Sequence, residues 1–153
     1  MAPRSTQGSY DPWSDTASRA AHPSMLGTAP SWCWAVASGL GRVTVPWADA
    51  EPAPGSIVSE TVLSTPTYDA IVTRWGAGAT LDLTGELEFG GALYVVAGTI
   101  DVIAHHSRTG VVHDRCGEGG GAVLDDLHDA EAVNAGPDPA VTVHVIRRGR
   151  MAA

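Results

Sequence analysis

The sequence predicts an all-β protein, a barrel or sandwich of short strands, on three observations. From Ile57 to Arg147, runs rich in Val, Ile, Leu and Thr alternate apolar and polar residues. Turns carrying Gly, Pro or Asn separate these runs about every ten residues, which makes eight or more strands. Gly 18 and Pro 10 in 153 residues are the turn content such a fold needs. No long amphipathic helix is expected among the strands.

Residues 1–28 are rich in Ser, Pro, Ala and Gly without periodicity, and are read as a flexible N-terminal arm. Residues 29–56 hold Trp32, Trp34 and Trp47 between Pro and Gly. Indoles favour burial, so this segment is expected to lie across the strands as a Trp-rich cover. Residues 57–148 form the barrel, and with the cover they make one domain, 29–153. Ile57 to Leu63 is the first strand, and Thr65-Pro66-Thr67 the turn after it. Tyr68 to Trp75 is the second strand, broken by Gly76-Ala77-Gly78. Thr80 to Phe89 alternates: Leu81, Leu83, Leu87 and Phe89 face one way, and Thr80, Asp82, Thr84, Glu86 and Glu88 the other. Leu93 to Ala97, Thr99 to His106 and Val111 to Cys116 follow, then short pieces at Ala122 to Leu127 and Ala130 to Val133. Ala140 to Arg147 is the last strand, with Val141, Val143 and Val145 on one face and Thr142, His144 and Ile146 on the other.

Charge excludes several functions. The formal net charge is −8 and every basic residue is an arginine. A nucleic-acid partner needs a basic patch, and the chain offers only Arg147-Arg148-Gly149-Arg150. Without lysine there is no Schiff-base chemistry and no lysine-bound pyridoxal. No apolar run is long enough to span a membrane, and Met1 to Tyr10 lacks a signal-peptide pattern, so a cytoplasmic protein is expected. Cys33 and Cys116 have neither metal nor redox spacing, and are expected to be unpaired.

The order of Trp75-Gly76-x-Gly78, Tyr94-Val95-Val96-x-Gly98, Asn134 followed by Pro139-Ala140-Val141, and Thr142-Val143-His144-Val145 resembles the cupin superfamily. Within it, the cysteine-dioxygenase-like branch is the nearest pattern, over about Ile57 to Arg147. The resemblance implies a double-stranded β-helix (jelly-roll) barrel. In that branch a His-x-His pair and a third histidine hold Fe(II). Counting from Trp75 and back from Gly98 puts the pair at Thr84 and Glu86, and a looser count at Asp82 and Thr84. The third ligand falls at Ala130, or at His128 if two residues are inserted. The branch's Ser-x-His-x-Tyr relay reads Thr142-x-His144-x-Ile146 here, its crosslinking cysteine falls at Gly91, and its substrate arginine has no counterpart between Arg42 and Arg74. The resemblance therefore implies the fold with a degenerate metal site.

By that register Glu86 faces the barrel interior and is the candidate acid or base, with Thr84, His144 and Tyr94 orienting or polarising a substrate. Asp82, Trp75, His128 and Ile146 are the candidate binding residues. The plain alternative is that Thr80 to Glu88 is simply the solvated face of its strand, and that Tyr94 and His144 are ordinary core. His105, His106 and His113 belong to an exposed hairpin, with His106 opposite His113. The leading functional expectation is a cofactor-free, metal-independent enzyme that cyclises, isomerises or dehydrates a hydrophobic small molecule. By analogy with composition of this GC-rich kind, its place is secondary metabolism. A non-catalytic small-molecule-binding cupin is the alternative, and an iron oxygenase using Glu86 and His128 the second. A homodimer is the expected assembly.

Overall fold

The structure, a computed structural model, describes residues 24–25, 31–43, 51–86, 90–106, 110–124 and 129–148. The expectations for the rest of the arm, for Trp47 and for His128 lie outside the described residues.

Ten strands and two helices are described in chain order: β1 (Ser24–Met25), α1 (Ser31–Val43), β2 (Ile57–Ser64), β3 (Tyr68–Trp75), β4 (Thr80–Asp82), α2 (Leu83–Glu86), β5 (Gly91–Ala97), β6 (Ile100–His106), β7 (Gly110–Cys116), β8 (Gly121–Leu124), β9 (Asp129–Val133) and β10 (Ala140–Arg147). They form two sheets, a 6-stranded one ordered β1-β8-β5-β10-β3-β2 and a 4-stranded one ordered β4-β9-β6-β7. Every described pairing is antiparallel except β1 with β8, where Ser24 meets Ala122. The interior between the sheets is apolar, built from Trp75, Leu83, Leu93, Val95, Ile100, Val102 and Leu124 among others.

β10 sits between β5 and β3, and its alternation serves two cores. Ala140 and Ile146 belong to the interior core, with Thr142 and His144 on the same face. Val141, Val143 and Val145 form a second core with Cys33, Ala37, Ala70, Val72, Ala92 and Val123. That second core lies under α1.

The cover is thus a helix, α1, which precedes the barrel strands and does not interrupt them. Cys33, Ala37 and Gly41 recur at helical spacing on its buried side. Their small size lets the helix lie close to the sheet: a Cβ on Gly41 would run into the Tyr94 ring. Trp32 packs on Tyr68 and Trp34 on Tyr94, each pair 5.5 Å between ring centroids.

One expectation is corrected. The strand expected over Thr80 to Phe89 ends at Asp82 and turns into α2. Asp82 is an N-cap residue, its Oδ1 accepting the Thr84 N–H at 2.9 Å, and Gly85 is a poor strand former. Within residues 1–28, Ser24 and Met25 add a short strand to β8.

The turns explain the motif glycines and Asn134. Gly98 has φ 82, and a Cβ there would meet the Pro139 carbonyl and Ala140. Buried Asn134 donates its side-chain amide to the Gly76 carbonyl at 3.1 Å and to the Asp138 carbonyl at 2.8 Å, tying two turns together.

Candidate functional site

The interior carries one polar strip, on β2, β3 and β10. Alternation points Thr73, Trp75, Thr142 and His144 inward, and all four are fully buried. The Trp75 Nε1–H donates to the Thr142 hydroxyl at 2.9 Å. The same hydroxyl lies 2.7 Å from His144 Nε2. Indole nitrogen can only donate, so it takes a lone pair of Thr142 and leaves the hydroxyl proton to be placed. Among the described residues, His144 Nε2 is the other hydrogen-bond partner of that hydroxyl. A buried O–H left without an acceptor costs about 1–3 kcal/mol, so Thr142 donates to Nε2. The ring proton of His144 then sits on Nδ1.

The strip continues to the sheet edge. Register places Ser59, Thr73 and Thr142 in one row across β2, β3 and β10. The Ser59 and Thr73 hydroxyls are 3.0 Å apart, and Ser59 itself is exposed. On the second sheet the inward residues are apolar, Ile100, Val102, Ala104, Ala130 and Ala132. One wall thus offers hydroxyls and an imidazole, and the other hydrocarbon with the buried Cys116 thiol.

The residues singled out in the sequence divide three ways. Trp75, His144 and the half-buried Ile146 lie on the inner face, with Trp75 and His144 rings 6.2 Å apart between centroids. Tyr94 does not: its neighbours Leu93 and Val95 point inward, while its ring packs under α1 against Trp34. Thr84 and Asp82 are exposed and hold backbone rather than a ligand. The Thr84 hydroxyl accepts the Ala130 N–H at 2.9 Å, and Asp82 caps α2. Glu86 ends α2, and its side chain is outside the described residues. Residues 83–86 are helical rather than extended.

The resemblance to cupins implies a metal. At the expected ligand positions Thr84 and Asp82 are engaged with backbone, and Ala130 has no donor side chain. Among the described residues no three His, Cys, Asp or Glu side chains converge on a point. These residues do not fit a metal. The hairpin histidines are apart as well, since His106 pairs with Gly110 and His113 with Ile103. His113 instead joins Asp101 and Arg115 on the outer face of the smaller sheet, with Arg115 bonded to both Asp101 oxygens at 2.8 and 3.0 Å.

Both cysteines are free and buried, Cys33 under α1 and Cys116 in the interior. Burial pushes the Cys33 thiol up to about 11 and the Cys116 thiol up to about 12, so neither is a ready nucleophile. Sequence reasoning missed the roles of Ser59, Thr73 and Thr142 in the strip. Their shared parity with His144 and Trp75 was the signal available.

Two solved structures are similar over most of the described chain. A conserved protein with a double-stranded β-helix domain from Klebsiella pneumoniae superposes with TM-score 0.51 at 21% identity, covering 71% of this chain and 91% of that one. A cupin 2 conserved barrel domain protein from Leptotrichia buccalis superposes with TM-score 0.51 at 18% identity, covering 65% of this chain and 44% of that one. At these identities the likeness speaks for the fold, and the chain folds as a cupin barrel. No protein-family model and no curated relative matches it. Among the described residues no helix is long and apolar enough to cross a membrane.

Proposed function

We propose that this cupin takes a small, largely apolar molecule into its barrel without a metal, and that His144 handles a proton on it. The observation that supports this reading is the Trp75–Thr142–His144 chain, a hydrogen-bonded imidazole set in a wall that faces an apolar one. Proton abstraction next to a carbonyl, which underlies isomerisation, cyclisation and dehydration, would take place at Nε2 once the Thr142 O–H turns from it to the ligand's carbonyl oxygen. In this reading Thr142 takes the orienting role expected of Thr84 and Tyr94, and Glu86 is the second acid–base group. The reading includes kinship with the cysteine-dioxygenase-like branch, through Trp75-Gly76-x-Gly78 and Thr142-x-His144, and a place in secondary metabolism.

A second reading is a binding protein without catalysis. It is favoured by the Thr142 hydroxyl, whose proton is given within the fold to His144 Nε2, the nitrogen that catalysis would need. Deuterium wash-in from D2O at the carbon next to the carbonyl, over a panel of apolar ketones, separates the two. Exchange above background that is lost in His144→Gln supports the enzyme. Ketones that raise the melting temperature without exchange support the binding protein. If the panel neither exchanges nor stabilises, the apolar-ligand reading fails.

A further inference from the structure

The row Thr142, Thr73, Ser59 across β10, β3 and β2 passes from the barrel interior to solvent. Thr142 and Thr73 are fully buried, and Ser59 is exposed. The hydrogen bonds of this row break in the middle. Thr142 is tied to Trp75 and His144, and Thr73 to Ser59 at 3.0 Å, and among the described residues no bond joins the two threonines. A hydroxyl has one proton and two lone pairs, so Thr73, with Ser59 as its partner, keeps capacity unused. Buried polar groups are ordinarily satisfied, and valine would fill the same place without that cost. Ser59 lets the spare capacity be of either kind. Its own proton can go to water, and Thr73 then donates to Ser59. If Ser59 turns its proton to Thr73 instead, the Thr73 proton is released to the interior and the bond between the pair is kept.

We propose that Thr73 is a second donor to the ligand's carbonyl oxygen, which lies in the break between Thr73 and Thr142. The proposal rests on the reading above, in which the barrel takes an apolar carbonyl compound. Directly opposed residues on antiparallel neighbours hold their Cβ atoms about 4.5–5.5 Å apart, so one oxygen can accept from both hydroxyls. His144 Nε2, 2.7 Å from the Thr142 oxygen, is then beside the carbon next to that carbonyl. When Nε2 takes a proton from this carbon, the C–H pair becomes the carbon–carbon double bond and the carbonyl π pair moves to oxygen. Two donors hold the negative charge that develops there. Both are neutral, and among the described residues no arginine is buried in the interior. The site therefore selects an uncharged ketone over a carboxylate, whose full charge would be buried without a cation.

The test follows deuterium entry from D2O beside the carbonyl of a panel of apolar ketones, in the wild type, Thr73→Val and Thr73→Ser. Melting shifts are read alongside, for each ketone, for the hydrocarbon with a methylene group in place of the oxygen, and for the matching carboxylate. Ser59 is exposed and water can replace its partner, so Thr73→Val should keep the fold and its melting temperature. The valine variant should lose exchange on the order of a hundredfold, with a smaller ketone shift, and the serine variant should recover both. The hydrocarbon shift should not change, and the carboxylate should give none. A valine variant that handles ketones as the wild type does, while His144→Gln does not, overturns the role of Thr73 and leaves the proton-handling reading standing. Equal loss of the ketone and hydrocarbon shifts also overturns it, because Thr73 is then part of the wall alone. So does a carboxylate that stabilises the wild type as well as its ketone. A wild type that neither exchanges nor is stabilised by any ketone overturns both readings.

Discussion

The Trp75 indole and the Thr142 hydroxyl meet at 2.9 Å inside the barrel, across 67 residues of sequence. This contact joins β3 to β10 by side chains as well as by backbone. It also fixes which way the hydroxyl points, and so what His144 Nε2 receives.

Thr142→Val keeps the shape and removes the hydroxyl. It leaves a buried indole N–H and a buried imidazole nitrogen without their partner. The expected cost is about 2–4 kcal/mol, read as a lower midpoint in chemical denaturation. Thr142→Ser should recover most of it. Equal stability of the valine and serine variants would mean the hydroxyl contributes nothing.

Two glycines of α1 should respond oppositely to alanine. A Cβ on Gly39 meets nothing within 4 Å, so Gly39→Ala should stabilise by about 0.5–1 kcal/mol through helix propensity. A Cβ on Gly41 would strike the Tyr94 ring, so Gly41→Ala should destabilise by about 1–3 kcal/mol. Thermal melts of the two variants check the seating of the helix. Stabilisation by both would show that α1 stands off the sheet.

Stability should fall in acid through Asp101. The Arg115 guanidinium bonded to it holds its carboxyl below the ordinary 3.8, burial opposes this, and His113 adds to it. A carboxyl depressed in the fold stabilises it above the unfolded value. That contribution is lost as pH falls through the folded value. The melting temperature should therefore decline below about pH 4, and the decline should be shallower in Arg115→Gln. Parallel acid limbs in the two proteins would contradict the assignment.

The barrel strands were legible because alternation is a strong signal where one face is buried. Tyr68 to Trp75 and Ala140 to Arg147 coincide with β3 and β10. The helix leaves a weak signal, because Cys33, Val36, Ala37 and Leu40 carry its period while Gly39 and Gly41, poor helix formers, interrupt it. The site was less legible still. Thr80 to Phe89 alternates as well as any strand, yet the cap at Asp82 and the glycine at 85 turn it into α2. A register counted through that segment therefore does not describe a strand. Tyr94 looked inward only while the faces of β5 were unassigned; α1 supplies the second core that claims it. Asn134 was quoted as a motif residue, but its bond to Gly76 is tertiary and left no local trace.

The most direct test of the central claim is the protonation of His144, read by long-range nitrogen–proton correlation NMR on uniformly labelled protein near neutral pH. With Thr142 donating to Nε2, that nitrogen should resonate as the unprotonated one and Nδ1 as the protonated one. The Thr142→Val variant should lose the preference. A His144 ring protonated at Nε2 in the wild type would contradict the hydrogen-bond chain and the proton-handling role built on it.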